Sequence, residues 1–426
     1  FTDAIDTLKQ GGLSGPVTFQ VDSSVYTEQI TLGDYPGNDQ YPVIFEGATQ
    51  DSTKAVLTSS GTTLKFEATA SGKTVQNIVF RNMTISSNGG IPVQFSWGDI
   101  KNISLENNIL SSLQADQNII QISYDDERDS LRIQNNLISG GNQGIVLTTG
   151  VNLNAMQVLN NHFTGQSIHG MYFSDNTHSQ HVVVNNNTFD SNTPIYGVYA
   201  QGINVFEAHN NRIDLPAGGT GIYLNNSEGG QGTGLAHITN NFIRIHTTEA
   251  DKGISAYADT VNVFYNTVYM TGDNQASVCL HENGYYTHAY FSAYNNNLVN
   301  LALGKALSLD ADIASDYNNL YSNGPVMVSY TFDLASMVTH QAYHKIDSNS
   351  LSVPVPVYSS DSSLYAESIY LEGKATPLDN YNIDIDGNPR DAAHPDIGAD
   401  EFTPSSSPLS GIYTLGSGGD FTSFAE

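Results

Sequence analysis

The chain repeats one short phrase along most of its length: alternating apolar and polar residues, then one or two asparagines, then usually an apolar residue. The phrase recurs ten times between residues 77 and 322, at steps of 22 to 31 residues. The asparagines that mark it are Asn82, Asn108, Asn136, Asn161, Asn187, Asn211, Asn241, Asn266, Asn297 and Asn319. A repeat of this size cannot bury its own apolar face, so it must stack on its neighbours.

Within each repeat the side chains alternate with a period of two, as in residues 182–184, 262–265 and 289–292. This period is typical of strands, and no helical segment separates one strand from the next. The pattern therefore predicts an all-β fold, a parallel β-helix, whose crossovers are expected to be right-handed. Leucine-rich repeats are the alternative, but their leucine frame is missing from this chain.

The asparagines fit the bends between strands, because asparagine tolerates left-handed backbone geometry and its amide bonds to nearby backbone. In stacked coils these amides would form a ladder, each bonded to the next. We therefore expect a structural role for the series. Replacing a central member, Asn187→Ala, should cost about 1 to 3 kcal/mol.

Three regions are predicted. Residues 1–325 form the parallel β-helix with an N-terminal cap, which includes a short amphipathic helix near residues 4–8. After about residue 325 the asparagine turns stop and proline, serine and aspartate increase, so 326–403 are read as the last irregular coils and a C-terminal cap over the open end. Residues 404–426 are read as a linker followed by the start of a neighbouring cap.

Charge and cysteine content narrow the choice of partners. The chain has 15 Lys and Arg against 43 Asp and Glu, a formal net charge of -28. Such a surface repels nucleic acid and anionic membranes, and it repels uronic-acid polymers unless cations intervene. The one cysteine, Cys279, lies in an apolar stretch and reads as a buried hydrophobe. There is no run long enough to insert into a membrane and no signal peptide, so the chain is expected to be a processed or excised piece.

The two ends of the chain are alike. The tail Gly-Gly-Asp-Phe-Thr-Ser-Phe-Ala-Glu at 418–426 overlaps the opening Phe-Thr-Asp-Ala-Ile-Asp when the registers are aligned. We expect the chain to be one tile of a tandem array, or a subunit whose tail, residues 411–426, completes the cap of a neighbouring copy.

Two segments carry a family resemblance. The opening, residues 1–32, resembles the N-terminal cap of right-handed β-helix proteins of the pectin-lyase-like superfamily. The far end, Asn-Ile-Asp-Ile-Asp-Gly-Asn-Pro-Arg at 382–390 and Pro-Asp-Ile-Gly-Ala-Asp-Glu-Phe at 395–402, resembles the closing phrase of large secreted or surface β-helix modules of Bacteroidota and related bacteria. The resemblance implies an extracellular or cell-surface location, often reached through the type IX export system. It implies architecture and says little about activity.

Enzymes of this architecture cleave acidic polysaccharides, which requires a base and a group that neutralises the uronate. Arg244 and Lys252, together with His246, Glu249 and Asp251, form the best candidate cluster, and a solvated loop of mixed charge is the alternative.

A second acidic cluster, residues 124–129, is similar to the paired acids of β-helix polygalacturonases, but the other motifs of those enzymes are absent. It is therefore read as an exposed loop.

Histidines give weaker metal candidates. His340 and His344 have metal-ligand spacing without the following glutamate of a metalloprotease, and His178 with His181 and His281 with His288 are weak zinc candidates.

Calcium is the better metal candidate, because Asp384, Asp386, Asn388 and Asp391 alternate around a glycine turn. These oxygens fit a hard cation or, alternatively, accept backbone hydrogen bonds in a cap. No cofactor is expected to be required.

The sequence favours a non-catalytic extracellular tile that acts as a rod, spacer or adhesive surface, a filament-forming structural protein or adhesin. A polysaccharide lyase or glycoside hydrolase using Arg244 and Lys252 is one alternative. A glycan-binding module is another, with exposed aromatic residues such as Trp97, Tyr124, Tyr285 and Tyr286 as contacts.

Overall fold

The computed structural model describes the chain over residues 1–123, 126–148, 150–191, 195–228, 231–232, 234–247, 249–283, 290–309, 313–330, 332–354, 364–365, 368–404 and 411–416. The chain coils into a parallel β-solenoid in which each full turn contributes up to three short strands, one to each of three faces.

The faces are numbered in the order in which the chain meets them within a coil. The first face contains Val17–Val21, Val43–Gly47, Thr74–Arg81, Asp99–Glu106, Glu127–Asp129 with Leu131–Gln134, Asn152–Leu153 with Ala155–Leu159, Leu235–Thr239, Thr260–Phe264, Tyr290–Tyr294 and Ala314–Asp316. The second face is a sheet of twelve described strands: Ser24–Thr27, Ala55–Ser59, Thr84–Ser87, Ile109–Ser112, Leu137–Gly140, His162–Thr164, Thr188–Phe189, Arg212–Leu215, Phe242–Thr247, Thr267–Gly272, Asn297–Asn300 and Asn319–Ser322. The third face contains Ile30–Leu32, Leu64–Phe66, Val93–Phe95, Ile120–Ile122, Gln143–Leu147, Thr220–Asn225, Lys252–Tyr257, Val278–Glu282, Lys305–Ser308 and Val328–Tyr330.

Two long strands, His169–Asn185 and Tyr196–His209, run from the third face into the first. The remaining elements are the short pair Ser227–Glu228 and Gln231–Gly232, the strand Phe332–Leu334 and the helices Thr2–Gly11 and Met337–His344. The expected all-β parallel solenoid is confirmed.

The core lies inside the coil and is built by strict alternation. Val43–Gly47, for example, alternates buried and half-buried residues. Because neighbouring coils pair in register, identical side chains stack along the axis: Phe45 and Phe80 have ring centroids 4.7 Å apart, and Phe163 and Phe189 are 4.6 Å apart. The N-terminal helix Thr2–Gly11 buries Ile5 and Leu8 against the first coil. An amphipathic helix is therefore present at the expected place, closing that end of the core.

The asparagine turns form a continuous ladder between the first and second faces. At each step the backbone N–H of one asparagine donates to the Oδ1 of the next, at 2.9–3.0 Å from Asn136 to Asn266. The side-chain Nδ2 of each also donates to a backbone carbonyl of the preceding coil, as from Asn187 to Val158 at 2.8 Å. The residue just before each ladder position has a left-handed backbone, with φ near 55° at Asn186.

Three of the ten expected asparagines lie one residue away from the ladder. Asn82 holds the left-handed position, with φ of 58°, and Met83 follows it, donating its backbone N–H to Asn108. At the other end the ladder runs through Asn296 and Asn318 and finishes on the hydroxyl of Ser350. Asn297 and Asn319 begin strands of the second face and bond to each other through Nδ2 and Oδ1 at 2.9 Å.

The region after residue 325 divides into two parts. Residues 326–354 finish the coil: Val328–Tyr330 pairs antiparallel with Phe332–Leu334, Met337–His344 follows, and Leu351 bridges to Asn319. Residues 364–365 and 368–404 are here called the strap. The strap runs along the side of the solenoid over the asparagine turns, because its backbone and side chains bond to turn residues of several coils.

A buried arginine anchors the strap. Arg390 donates to the side chain of Asn240 and to the carbonyl oxygens of Gly398 and Ala399 at 2.9–3.1 Å, and its guanidinium lies 4.0 Å from the centre of the Tyr265 ring. The strap is therefore fixed to the coils that carry Asn240 and Tyr265, and its apolar residues also pack with Leu351 and Val353 beside the last asparagine turn. Of the predicted linker and tail, residues 405–410 and 417–426 lie outside the described residues.

Candidate functional site

A row of tyrosines lies on the outer side of the third face. The sequence places Tyr172, Tyr199 and Tyr223 at the same position of a repeated Gly-apolar-Tyr-apolar phrase. The three are direct partners in the parallel register, and their ring centroids are 4.7 and 4.9 Å apart. Since the rings stack on one another along the axis, their edges and hydroxyl groups are presented to solvent.

Two further rings lie beside this row. His169 stacks on Tyr172 with centroids 5.0 Å apart, and Tyr196 meets Tyr199 edge to face at 5.1 Å. His169, Tyr172, Tyr196, Tyr199 and Tyr223 together are called the tyrosine face. The result is a continuous aromatic surface across three coils, made of half-buried rings around a buried histidine.

Amide side chains border the tyrosine face. The Tyr199 hydroxyl donates to Gln201 Oε1 at 3.0 Å, and Asn225 Nδ2 donates to the Tyr223 hydroxyl at 3.3 Å. Burial, reinforced by the neighbouring tyrosines, raises the pKa of Tyr199 to about 12, and burial lowers the pKa of His169 to about 4. At neutral pH these groups are uncharged, so this surface offers aromatic edges, hydroxyls and amides within a strongly acidic protein.

A column of glycines makes this surface possible. Gly144, Gly170, Gly197, Gly221 and Gly253 each stand second in their strand, between residues that pair from one coil to the next. A Cβ atom at Gly197 would lie 2.7 Å from the carbonyl oxygen of the next coil and 2.9 Å from a core methyl group. Any side chain at this position would therefore clash with the next coil, which is why glycine is required there.

Basic residues continue the third face beyond the tyrosine face. Lys252 pairs in register with Thr220, and His281 pairs with Ser255, which in turn pairs with Tyr223. The pKa of His281 is lowered to about 4 by burial and then by the charges of Lys252 and Lys305. The expected catalytic candidate Lys252 therefore lies within reach of the tyrosine face, in a basic end of an otherwise acidic surface.

Arg244 lies elsewhere. It belongs to Phe242–Thr247 of the second face, and its Nε donates to Asp214 Oδ1 at 2.9 Å, with a second bond from Nη2 to Asp214 Oδ2. The structure thus separates Arg244 and Lys252 onto two faces and does not bring them together as a base and a carboxylate-binding pair.

The second acidic cluster is not a simple exposed loop. Tyr124 and Asp125 lie outside the described residues, but Arg128 beside them is fully buried. Its guanidinium donates to the carbonyl oxygens of Gly98 at 2.6 Å, Ser123 at 2.8 Å and Ser96. A buried arginine that satisfies backbone carbonyls of two coils is a structural anchor.

The predicted calcium residues all belong to the strap, where the three aspartates accept hydrogen bonds and Asn388 Nδ2 donates to Asp384 Oδ2 at 3.1 Å. Asp384 accepts from the backbone N–H groups of Asp386 and Asn388 and from that of Glu401. Asp386 binds Arg212 and Tyr365 of neighbouring segments, and Asp391 accepts from two backbone N–H groups. N–H donors directed at these oxygens compete with a cation. The four residues therefore fit better as acceptors and donors of hydrogen bonds that hold the strap in shape than as calcium ligands. Calcium binding stays a prediction.

Of the histidine candidates, His340 and His344 lie side by side with ring centroids 5.3 Å apart. His340 is buried and its Nε2 lies 2.8 Å from Asp347 Oδ2, while His344 packs beside Tyr330. The side chains of His178 and His288 lie outside the described residues, as do Tyr285 and Tyr286, and Trp97 is 37% exposed. Across the part of the chain that the structure describes, no group of three His, Cys, Asp or Glu side chains could hold a metal ion.

Comparison with known proteins gives little beyond architecture. No protein family matches the chain by its sequence profile, and no curated protein matches it. Among solved structures, the chain is similar to one described as the crystal structure of pectate lyase Pel9A, at 15% sequence identity and a TM-score of 0.42, over 94% of this chain and 90% of that one. The assignment of the fold rests on the strand pairing itself. Of the helices in the described ranges, none has the length and apolar character needed to cross a lipid bilayer.

Proposed function

We propose that this chain is an extracellular β-helix tile that binds a neutral glycan along the tyrosine face and so acts as an adhesive surface. The observation that carries this proposal is the uninterrupted aromatic row of Tyr172, Tyr199 and Tyr223, bordered by amides. Aromatic rings edged with hydrogen-bonding groups suit sugars, which present both apolar C–H surfaces and hydroxyls.

The electrostatic character of the site favours a neutral ligand. The chain as a whole carries a formal charge of -28, which opposes binding of nucleic acid or of a densely charged anionic polymer. Within the tyrosine face, burial lowers the pKa of His169 to about 4 and raises the pKa values of Tyr196 and Tyr199, so these three groups are uncharged at neutral pH. A neutral polysaccharide lying along the axis would meet one ring per coil.

Binding to immobilised neutral polysaccharides tests the proposal. Tyr199→Ala removes the central ring and is expected to weaken binding at least about ten-fold. Tyr321→Ala is the matched control, because Tyr321 is also half-buried on a strand but lies on the second face. Equal binding by the two variants, or no binding of any polysaccharide by the unmodified chain, would refute the proposal.

Lys252 supports a second candidate function, that of a polysaccharide lyase acting beside the tyrosine face. The charges of Lys252 and Lys305 both contribute to the lowered pKa of His281. A candidate base and a second cation therefore lie close to the tyrosine face. Turnover of a uronan, followed by the ultraviolet absorbance of the unsaturated product and lost in Lys252→Ala, would establish the lyase. Turnover that survives Lys252→Ala would exclude this assignment of the base.

Assembly through the tail remains part of the first proposal. In the described segment 411–416, Ile412 is 98% exposed, Tyr413 43% and Leu415 45%. Apolar side chains gathered in so short an exposed segment suit packing against a neighbouring copy. Electron microscopy that shows rods with one tile per repeat would support this role, whereas isolated particles at high concentration would argue against it.

A further inference from the structure

A cleft of about 420 Å³ opens between the first face and the strap, away from the tyrosine face. The solenoid supplies one wall, from Glu207, His209, Asn210 and His237, and strap residues 380–383 supply the other. This volume lies within the roughly 300–1,000 Å³ typical of small-molecule sites. Nearly all of its lining groups are polar, and we call it the strap cleft.

The single carboxylate in the lining, that of Glu207, is hydrogen-bonded at both of its oxygens. Glu207 Oε1 lies 2.8 Å from His181 Nε2, and Glu207 Oε2 lies 3.0 Å from His209 Nε2. The hydrogen bond from His209, together with that from His181, lowers the pKa of Glu207 to about 2 although burial opposes this. Glu207 is therefore ionised, and each of its carboxylate oxygens is already hydrogen-bonded to an imidazole.

The other wall is tied down by a neutral histidine. His237 Nδ1 lies 3.1 Å from the Tyr381 hydroxyl and 3.3 Å from Asn262 Nδ2, two groups that both donate. Burial lowers the pKa of His237, which keeps this nitrogen free of a proton and able to accept. Tyr381 thus fixes the strap at a set distance from Glu207 and gives the cleft a defined width.

One lining atom lacks a partner. Asn210 Oδ1 is buried and accepts no hydrogen bond from any described residue, although Asn210 Nδ2 donates to Asn185 Oδ1 at 3.1 Å. A buried acceptor without a donor is costly, so such atoms are rare unless a ligand or water completes them. Here the residue that carries it lines a cleft of ligand size.

We infer that the strap cleft binds a short neutral saccharide, whose hydroxyls bond to Glu207 and to the amide side chains that line the cleft, Asn210 among them. An anion is disfavoured by the Glu207 carboxylate, and a cation would have to compete with two imidazole donors for its oxygens. An apolar ligand would leave the lining amides unpaired. This site is independent of the tyrosine face, which lies on another face of the solenoid.

Saturation-transfer NMR with methyl glycosides of neutral hexoses and with neutral disaccharides tests the inference. The titrations are done in the Tyr199→Ala background, so that binding at the tyrosine face is weakened and failure of either site leaves the other standing. Galacturonate and glucosamine serve as the anionic and cationic comparators. Binding of a neutral saccharide in preference to both is the expected result.

Two variants locate the binding. Asn210→Ala and Glu207→Gln are each expected to weaken it about ten-fold. Asn107→Ala is the control, because Asn107 occupies the same left-handed turn position, with φ of 53° against 56° at Asn210, but is exposed. Thermal unfolding confirms that each variant is folded. The inference is overturned if no neutral saccharide binds, if a charged comparator binds as well, or if both variants bind like the control.

Discussion

Removal of one rung tests whether the asparagine ladder holds the coils together. Asn187→Ala deletes a side chain whose Nδ2 donates to the Val158 carbonyl at 2.8 Å and to Asn211 Oδ1 at 3.0 Å. Its Oδ1 accepts from the backbone N–H of Asn161 at 2.9 Å. After the change this buried N–H has no acceptor, and the Val158 carbonyl loses one donor.

The expected cost follows from those two groups. A buried donor left without a partner costs about 1–3 kcal/mol, and the loss of a bond at the carbonyl adds up to about 1 kcal/mol. We therefore expect Asn187→Ala to lower the free energy of unfolding by about 1–4 kcal/mol. Water cannot easily compensate, since Asn187 is 1% exposed.

Urea unfolding followed by circular dichroism measures this difference. The control is Asn186→Gly, which retains the left-handed turn and removes only an exposed bond from Asn186 Nδ2 to Asn160 Oδ1. Its effect should stay within about 0.5 kcal/mol. If the two variants differ by less than about 0.5 kcal/mol, the ladder amides contribute nothing measurable and the reasoning fails.

Three further predictions concern the glycine column and the strap. Gly197→Ala should destabilise the protein by about 1–3 kcal/mol, because the new methyl group meets the backbone of the next coil, and thermal unfolding would detect the loss. Burial raises the pKa of Asp396 and of Asp400 to about 7, so the stability they contribute is full below about pH 4 and is lost as the pH rises through about 7. Hydrogen exchange in the strap, corrected for intrinsic rates, should therefore be faster at about pH 8 than at about pH 6, and the opposite order would contradict these pKa shifts. Arg390→Met leaves carbonyl groups without their donor and should release the strap while the coils stay folded, which limited proteolysis would show as cleavage confined to the strap.

The solenoid was readable from the sequence because its signal is periodic. Alternation and asparagine spacing repeat about once per coil, so an error at one turn does not alter the prediction. The predicted ladder positions Asn297 and Asn319 were wrong by one residue. Each belongs to a run of asparagines, and the spacing alone does not say which member of the run turns inward. Hydrogen bonding decides the choice, since Asn296 and Asn318 reach carbonyls of the preceding coil.

The lateral surface was harder to predict. The Gly-apolar-Tyr-apolar phrase at 170–173, 197–200 and 221–224 was present in the sequence and could have located the tyrosine face. The sequence suggested that Arg244 and Lys252 act together because they are close along the chain. In the structure they lie on strands of two different faces, since the chain turns a corner of the coil between them. The position of the strap could not be read from any local pattern, as its contacts with the turns join residues such as Asn240 and Ile383, 143 positions apart.

The strap also sets an order of events during folding. Coils need only the coil before them, so they can form progressively as the chain emerges. The strap instead depends on contacts between residues far apart in sequence. Asp386 bonds to Arg212, 174 residues away, and Thr376 bonds to Asn295, 81 residues away. Its binding surface exists only when those coils are complete, so its closure comes late and is slow because of the long loop that it ends. The last segment to dock thereby ties together coils that would otherwise unravel one at a time from an end.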